Sequence, residues 1–160
     1  MTFDPHFRMY SHDPQQRQGG LATFADLARE LADELEDRHQ IYPGLVNKGR
    51  MTAEAAKREI LVMGSLAWHH ILPADARPPA PPPVSWSEWV HTLRREIALR
   101  RRLYPDRVKS GRLNADVAAR KLELLENIHE NLWLGCQIAE AREARAATED
   151  RRKALERKAA

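Results

Sequence analysis

Residues 42–58 read YPGLVNKGRMTAEAAKR, and residues 104–120 read YPDRVKSGRLNADVAAR. Shifted by 62 positions, residues 31–63 and 93–125 share eleven identities: Leu31/Leu93, Glu34/Glu96, Arg38/Arg100, Tyr42/Tyr104, Pro43/Pro105, Val46/Val108, Gly49/Gly111, Arg50/Arg112, Ala53/Ala115, Ala56/Ala118 and Arg58/Arg120. Repetition at such a period marks a duplicated supersecondary unit. Each unit reads as helix, loop, helix, an αα-hairpin. Pro43 and Pro105 are expected to end the first helix of each unit, because the residue before a proline is pushed out of the α region. Gly49 and Gly111 suit a positive-φ turn. Thr52 and Asn114 can cap the second helix, and Ala56 and Ala118 let the two helices approach closely. Tyr42, Tyr104, Val46 and Val108 can plug the open end of each hairpin. The Arg50 and Arg112 guanidiniums are placed to satisfy loose carbonyls of the first helix or to pair with a carboxylate.

Outward from the repeat, residues 1–20 lack an apolar period and end in Gly19-Gly20, which reads as a flexible N-terminal arm. Thr23 and Asp26 form a capping box, and Phe24, Leu27, Leu31 and Leu35 follow at helical spacing. The first hairpin spans 21–71, and its second helix carries Ala56, Ile60, Met63 and Ile71 on one face. Residues 72–84 include LPADARPPAPPP, a semi-rigid spacer. Ser85 and Glu88 form a second capping box, opening a second hairpin over 85–140. Its last helix shows a stripe from Ala118 through Leu122, Leu125, Leu132 and Cys136 to Ala139, interrupted by His129. Residues 141–160 read as a charged helical extension or tail. The expected fold is all-α: two tandem αα-hairpins forming a four-helix arrangement, joined by a Pro-rich linker, with a long C-terminal helix. If the linker holds the hairpins apart, each would dock on a second chain, giving a homodimer.

A chain of 160 residues is long enough to bury a core without metal or disulfide. The single Cys136 excludes an internal disulfide and fits a reducing compartment. No apolar run approaches the roughly 20 residues of a membrane span, and no secretory signal opens the sequence. A cytoplasmic protein without membrane association is expected. The net charge of +3 is unevenly spread: residues 31–71 hold five basic against six acidic residues, and residues 91–125 hold ten against four.

That excess centres on Arg94, Arg95, Arg100, Arg101, Arg102, Arg107, Lys109 and Arg112, a candidate surface for phosphate or for an acidic protein partner. Tyr42, Lys48, Arg50 and Tyr104 are the candidate contact residues of the hairpin loops. The loops are longer than the turn of a helix-turn-helix. The sequence holds no phosphate loop, G-x-S-x-G or HExxH motif. His69 and His70, adjacent on a helix, make a poor chelate even with His91. Cys136 reads as a core thiol. Glu34 and Glu96 pair with Arg38 and Arg100 at i,i+4 as ordinary helix support. No catalytic residue, metal site or cofactor is expected.

The second copy, REIALRRRLYPDRVKSGRLNADVAARKLELLENI, resembles short uncharacterised proteins of proteobacterial phages and prophages. Those are single helical hairpins carrying EIALRRRxYPxxVxxGR before an Ala-rich helix. The resemblance covers residues 93–128 well and 31–66 less closely. It implies a phage accessory role and brings no catalytic residues. The leading expectation is a non-enzymatic protein that binds a host or phage protein, an inhibitor of host defence being one version. The alternatives are a nucleic-acid binder using the basic second hairpin, and a virion structural or assembly component.

Overall fold

The computed structural model describes residues 2–10, 22–71 and 80–160. The described residues are all-helical: α1 (Phe24–Asn47), α2 (Ala53–Ile71), α3 (Trp86–Lys109), α4 (Ala115–Glu130) and α5 (Ala139–Ala159), with a π-helical turn over Asn131–Gly135. Most of the expected linker, residues 72–79, lies outside the described residues, as do residues 11–21 of the expected arm.

Helix starts follow the capping chemistry of the sequence. Thr23 with Asp26, and Ser85 with Glu88, form reciprocal capping boxes on α1 and α3. These two caps also stand 62 residues apart. The Thr52 hydroxyl accepts from the Ala55 N–H at 3.1 Å, and the Asn114 carbonyl oxygen accepts from the Asp116 and Val117 N–H groups.

Helix ends depart from expectation. Neither proline stops its helix: α1 contains Pro43 and α3 contains Pro105, each about a turn before the end. The stop comes at the glycines. Gly49 has φ 65° and Gly111 has φ 71°. The Gly49 N–H donates to Val46 O at 2.9 Å and the Arg50 N–H to Leu45 O at 2.9 Å. Gly111 N–H to Val108 O and Arg112 N–H to Arg107 O repeat this at 3.0 and 2.9 Å. This is a Schellman closure, whose two bonds satisfy carbonyls a helix end leaves open. Proline keeps a helical φ, so each helix runs on through it for one more turn, at the cost of one i→i−4 bond and a crowded carbonyl four residues back. The connections therefore shrink to Lys48–Thr52 and Ser110–Asn114. The backbone N–H groups of Arg50 and Arg112 do the work expected of their side chains.

α1 packs against α2 and α4, and α3 packs against α4 and α2. Leu31, Met63, Leu66, Val90, Leu93, Ile97, Leu125 and Ile128 are sealed in the core between them. Repeat partners meet equal burial: Leu31 and Leu93 are both fully buried, as are Arg38 and Arg100.

The last stripe is not one helix. α4 ends at Glu130, the π turn follows, and Cys136 to Ile138 is non-helical before α5. Arg145 of α5 reaches back to the carbonyls of Trp133 and Cys136 at 2.7 and 2.9 Å, which closes the break. Cys136 is half-buried in this link, not a helical core thiol. α5 is anchored by the buried Ala141 and exposed from Arg151 onward.

Residues 2–10 are not a free arm. Phe3 is buried, its ring 4.3 Å from that of His91 and edge-on to Trp86 and Trp133. Arg151 donates to the Phe3 carbonyl at 2.9 Å, and the Tyr10 hydroxyl donates to Glu130. This segment straps α3, α4 and α5 together.

Candidate functional site

α1 and α3 each carry a glutamate, arginine and tyrosine four residues apart, which places all three on one helix face. In α1 they are Glu34, Arg38 and Tyr42; in α3, Glu96, Arg100 and Tyr104. The two faces interlock. Arg38 pairs with Glu34 on its own helix and reaches Glu96 of α3 at 3.6 Å. Arg100 pairs with Glu96 at 3.2 Å and reaches Glu34 of α1 at 2.5 Å. Each guanidinium lies 5.8 Å from the centroid of the tyrosine four residues on. Glu30 and Lys121 extend the network, with Glu30 bonded to Arg100 at 2.5 Å and to Lys121 at 3.1 Å.

The same pseudo-twofold relation governs the periphery. Arg58 of α2 binds Glu88, the capping-box acid of α3, while Arg120 of α4 lies 3.4 Å from Asp26, the capping-box acid of α1. Arg95 pairs with Glu59 where, in the other copy, Lys121 lies 3.8 Å from Asp33. The second helix of each repeat thus clips the start of the first helix of the other. The i,i+4 pairing expected as local helix support is present, and the same side chains also link the two copies.

Burial sets the charge states. Arg38 and Arg100 are each 3% exposed. For Arg100 burial opposes the charge, but Glu30, Tyr104, Glu34 and Glu96 outweigh it and hold the guanidinium charged. Burial pushes the Glu34 carboxyl above its usual range against the pull of Arg38. It pushes the Tyr104 phenol up to about 12. The Arg38 Nε is buried without a hydrogen-bond partner.

Over this ionic floor a cleft of about 220 Å³ opens between α1 and α3. Its α1 side is Glu34, Asp37, Arg38, Ile41, Tyr42 and Leu45, and the residues 62 positions later supply its α3 side one for one. The cleft therefore straddles the pseudo-twofold axis. Its rim is apolar where Ile41, Leu45, Leu99 and Leu103 stand, with Ile41 55% and Leu99 36% exposed. Asp37 and Arg107 add one acid and one base.

The basic cluster divides. Arg100 is sealed in the ionic floor. Arg101 holds Glu126 at 2.7 Å and donates to the carbonyls of Arg8 and Met9 in the strap. Arg94 donates to His129 Nε2 at 3.0 Å and to Asp4 O at 3.1 Å, and its guanidinium sits 4.3 Å from the Trp133 ring centroid. Burial pulls the Arg94 guanidinium down to about 10. Arg95 pairs with Glu59. Arg102, Arg107, Lys109 and Arg112 are exposed, as are Lys48 and Arg50 in the first turn. Tyr42 and Tyr104 are half-buried in the cleft rather than sitting in the turns.

His129 is fully buried in the core. Burial first, then the charges of Arg94 and Arg101, pull its imidazole down to about 3. Among the described residues no group of three or more His, Cys, Asp or Glu side chains is arranged to hold a metal ion. No helix among them is long and apolar enough to cross a membrane.

Sequence reasoning passed over the strap and the Glu30–Lys121 extension. The strap had a signal in Phe3, Phe7, Met9 and Tyr10, four large side chains in a supposedly free arm. No family model matches the chain, nor does any curated protein or any solved structure.

Proposed function

We propose that this is a non-enzymatic binding protein that engages another protein through the cleft on its pseudo-twofold axis. In this reading the chain is one duplicated unit, two tandem helical hairpins across a Pro-rich linker, fused into a four-helix body. The observation that carries the function is the pair of apolar rows, Ile41–Leu45 and Leu99–Leu103, at i,i+4 spacing on facing helices, with Ile41 and Leu99 exposed and Leu45 and Leu103 half-buried. Such a groove fits the apolar side of an amphipathic helix, and Asp37 and Arg107 offer it two polar anchors of opposite sign. Three of the arginines that suggested phosphate binding, Arg94, Arg100 and Arg101, are instead spent on internal bonds, which favours a protein over a nucleic acid. The likeness of the second copy to phage and prophage proteins supports an accessory role there, with a host or phage protein as partner.

A second reading rests on Arg102, Arg107, Lys109 and Arg112, exposed near the α3–α4 turn. They could contact phosphate with steep salt dependence. Capture from the natural host, with and without nuclease, separates the two. Wild-type chain should retain a discrete protein after nuclease treatment. Ile41→Asp with Leu99→Asp should abolish that retention, while Gln at Arg102, Arg107, Lys109 and Arg112 should preserve it. Recovery of nucleic acid alone, lost with the four Gln changes, would overturn the protein-partner reading.

A further inference from the structure

The second copy departs from the repeat along one line, and the strap lies on that line. Arg94, Glu126 and His129 stand where the first copy has Ala32, Gly64 and Ala67. At Gly64 α2 lies close against α1, since a Cβ there would meet Leu35 at 3.9 Å. The large side chains of the second copy leave a groove between α3 and α4 instead, and the strap occupies it. Phe7 sits 4.9 Å from the His129 ring and 4.5 Å from the Arg94 guanidinium. At the head of the groove Trp86 is 2% exposed against Phe3, whereas Phe24, its equivalent in the first copy, is 62% exposed.

The groove holds the strap as a receptor holds a peptide. Arg151 and Arg94 bond the Phe3 and Asp4 carbonyls at 2.9 and 3.1 Å, and Arg101 bonds those of Arg8 and Met9. Phe3 and Phe7 supply the side-chain anchors. Main-chain bonds with a few side-chain anchors are how peptides are recognised, and they act alike on a segment from the same chain or another. In the sequence, residues 11–21 join the strap to α1 and include Gly19-Gly20. We infer that this groove is a peptide-binding site whose occupant in trans is residues 2–10 of a second copy, the two chains exchanging straps in a dimer. An exchanged strap makes the same contacts at each groove, so protein concentration sets the extent of exchange. The groove lies on α3, α4 and α5 and not between α1 and α3, so the inference stands independently of the protein-partner reading.

Isotope-labelled and unlabelled wild-type chains, unfolded together and refolded at NMR concentration, test it. They should form a dimer with interchain NOEs from the Phe3 ring to Trp133 and His91. Phe3→Ala with Phe7→Ala spoils the strap and leaves the groove, while Trp133→Ala spoils the groove and leaves the strap. Each variant alone should stay monomeric in light scattering, and their mixture should form a one-to-one heterodimer. A synthetic peptide of residues 2–10 should bind the doubly substituted chain and move its tryptophan emission to the blue. The same peptide carrying Phe3→Ala should bind roughly tenfold more weakly or worse. A wild-type chain that stays monomeric, a dimer whose interchain NOEs fall on Ile41 and Leu99, or a peptide that leaves the emission unchanged would overturn the inference. The NOE arm needs only wild-type protein, so it decides the matter even if a variant does not fold.

Discussion

Arg38 and Arg100 occupy equivalent places across a pseudo-twofold axis, each ion-paired with the glutamate four residues back on its own helix and with the glutamate of the opposite helix. Their surroundings are unequal. Arg100 also holds Glu30 at 2.5 Å and the Lys121 carbonyl at 2.9 Å, whereas Arg38 leaves its Nε without a partner. Removing one member of a buried ion network strands its partners, at a cost on the order of 3–5 kcal/mol. Arg100→Met should therefore destabilise the protein by about that amount in urea unfolding. Arg38→Met should cost distinctly less. Equal losses would mean the asymmetry has no energetic weight.

The helix ends give a second test. Gly49 and Gly111 have no atom within 4 Å of where a Cβ would sit, so Ala there meets strain only from its positive φ. Gly49→Ala and Gly111→Ala should each cost about 1–2 kcal/mol, the left-handed penalty of a non-glycine residue. Pro43→Ala and Pro105→Ala should leave the stop positions unchanged, as read from backbone chemical shifts. A helix that lengthens after the proline changes would return the stop to proline.

His129 makes the fold acid-sensitive. Its Nε2 accepts from Arg94 Nε, and protonation would break that bond. The folded chain resists the proton down to about pH 3, while the free imidazole takes it near 6.5. Across that window the unfolded chain binds more protons, so stability rises with pH and is lost as pH falls. The slope from this one group is at most about 1.4 kcal/mol per pH unit. His129→Gln, which can still accept from Arg94 but does not titrate, should flatten the unfolding midpoint between pH 4 and 6 relative to wild type. An unchanged slope would show that the carboxylates alone govern acid lability.

Much of the helical content was legible because its signals are local. Thr23–Asp26, Ser85–Glu88 and Asn114 cap through bonds to residues two or three positions away, and a capping motif specifies that distance itself. The glycine turns were legible for the same reason, although proline was given credit for the stop. Proline's effect depends on where in the helix it falls, and the six-to-one bond from Arg50 to Leu45 that decides the matter is not visible as a residue type. The network fared worse. Glu34 and Arg38 announce only their mutual spacing, and nothing local says that Glu96 and Arg100 will meet them. The 62-residue offset held that information, because two copies of one unit tend to meet about a twofold axis. The cleft was lost with it: Ile41 and Leu99 look like ordinary stripe residues until the axis places them on one rim. The break after Glu130 was hidden because the apolar spacing continues through Leu132 and Cys136 regardless of backbone form.

The strap is the remaining departure, and it is open to a direct test. Phe3 touches His91, Trp86 and Trp133, and Arg94 and Arg101 bond the carbonyls of Asp4, Arg8 and Met9. Phe3→Ala removes the buried aromatic ring of the strap, and buried Phe→Ala changes cost on the order of 3 kcal/mol. Loss of the plug also opens the indoles of Trp86 and Trp133 to water. Phe3→Ala should shift tryptophan emission to the red and raise acrylamide quenching, together with the drop in stability. Arg94→Lys should reproduce part of this effect, because an ammonium keeps the charge but loses the planar stack on Trp133 and the directed bond to His129. A Phe3→Ala protein with wild-type emission and wild-type stability would show that residues 2–10 lie on the surface without holding it together.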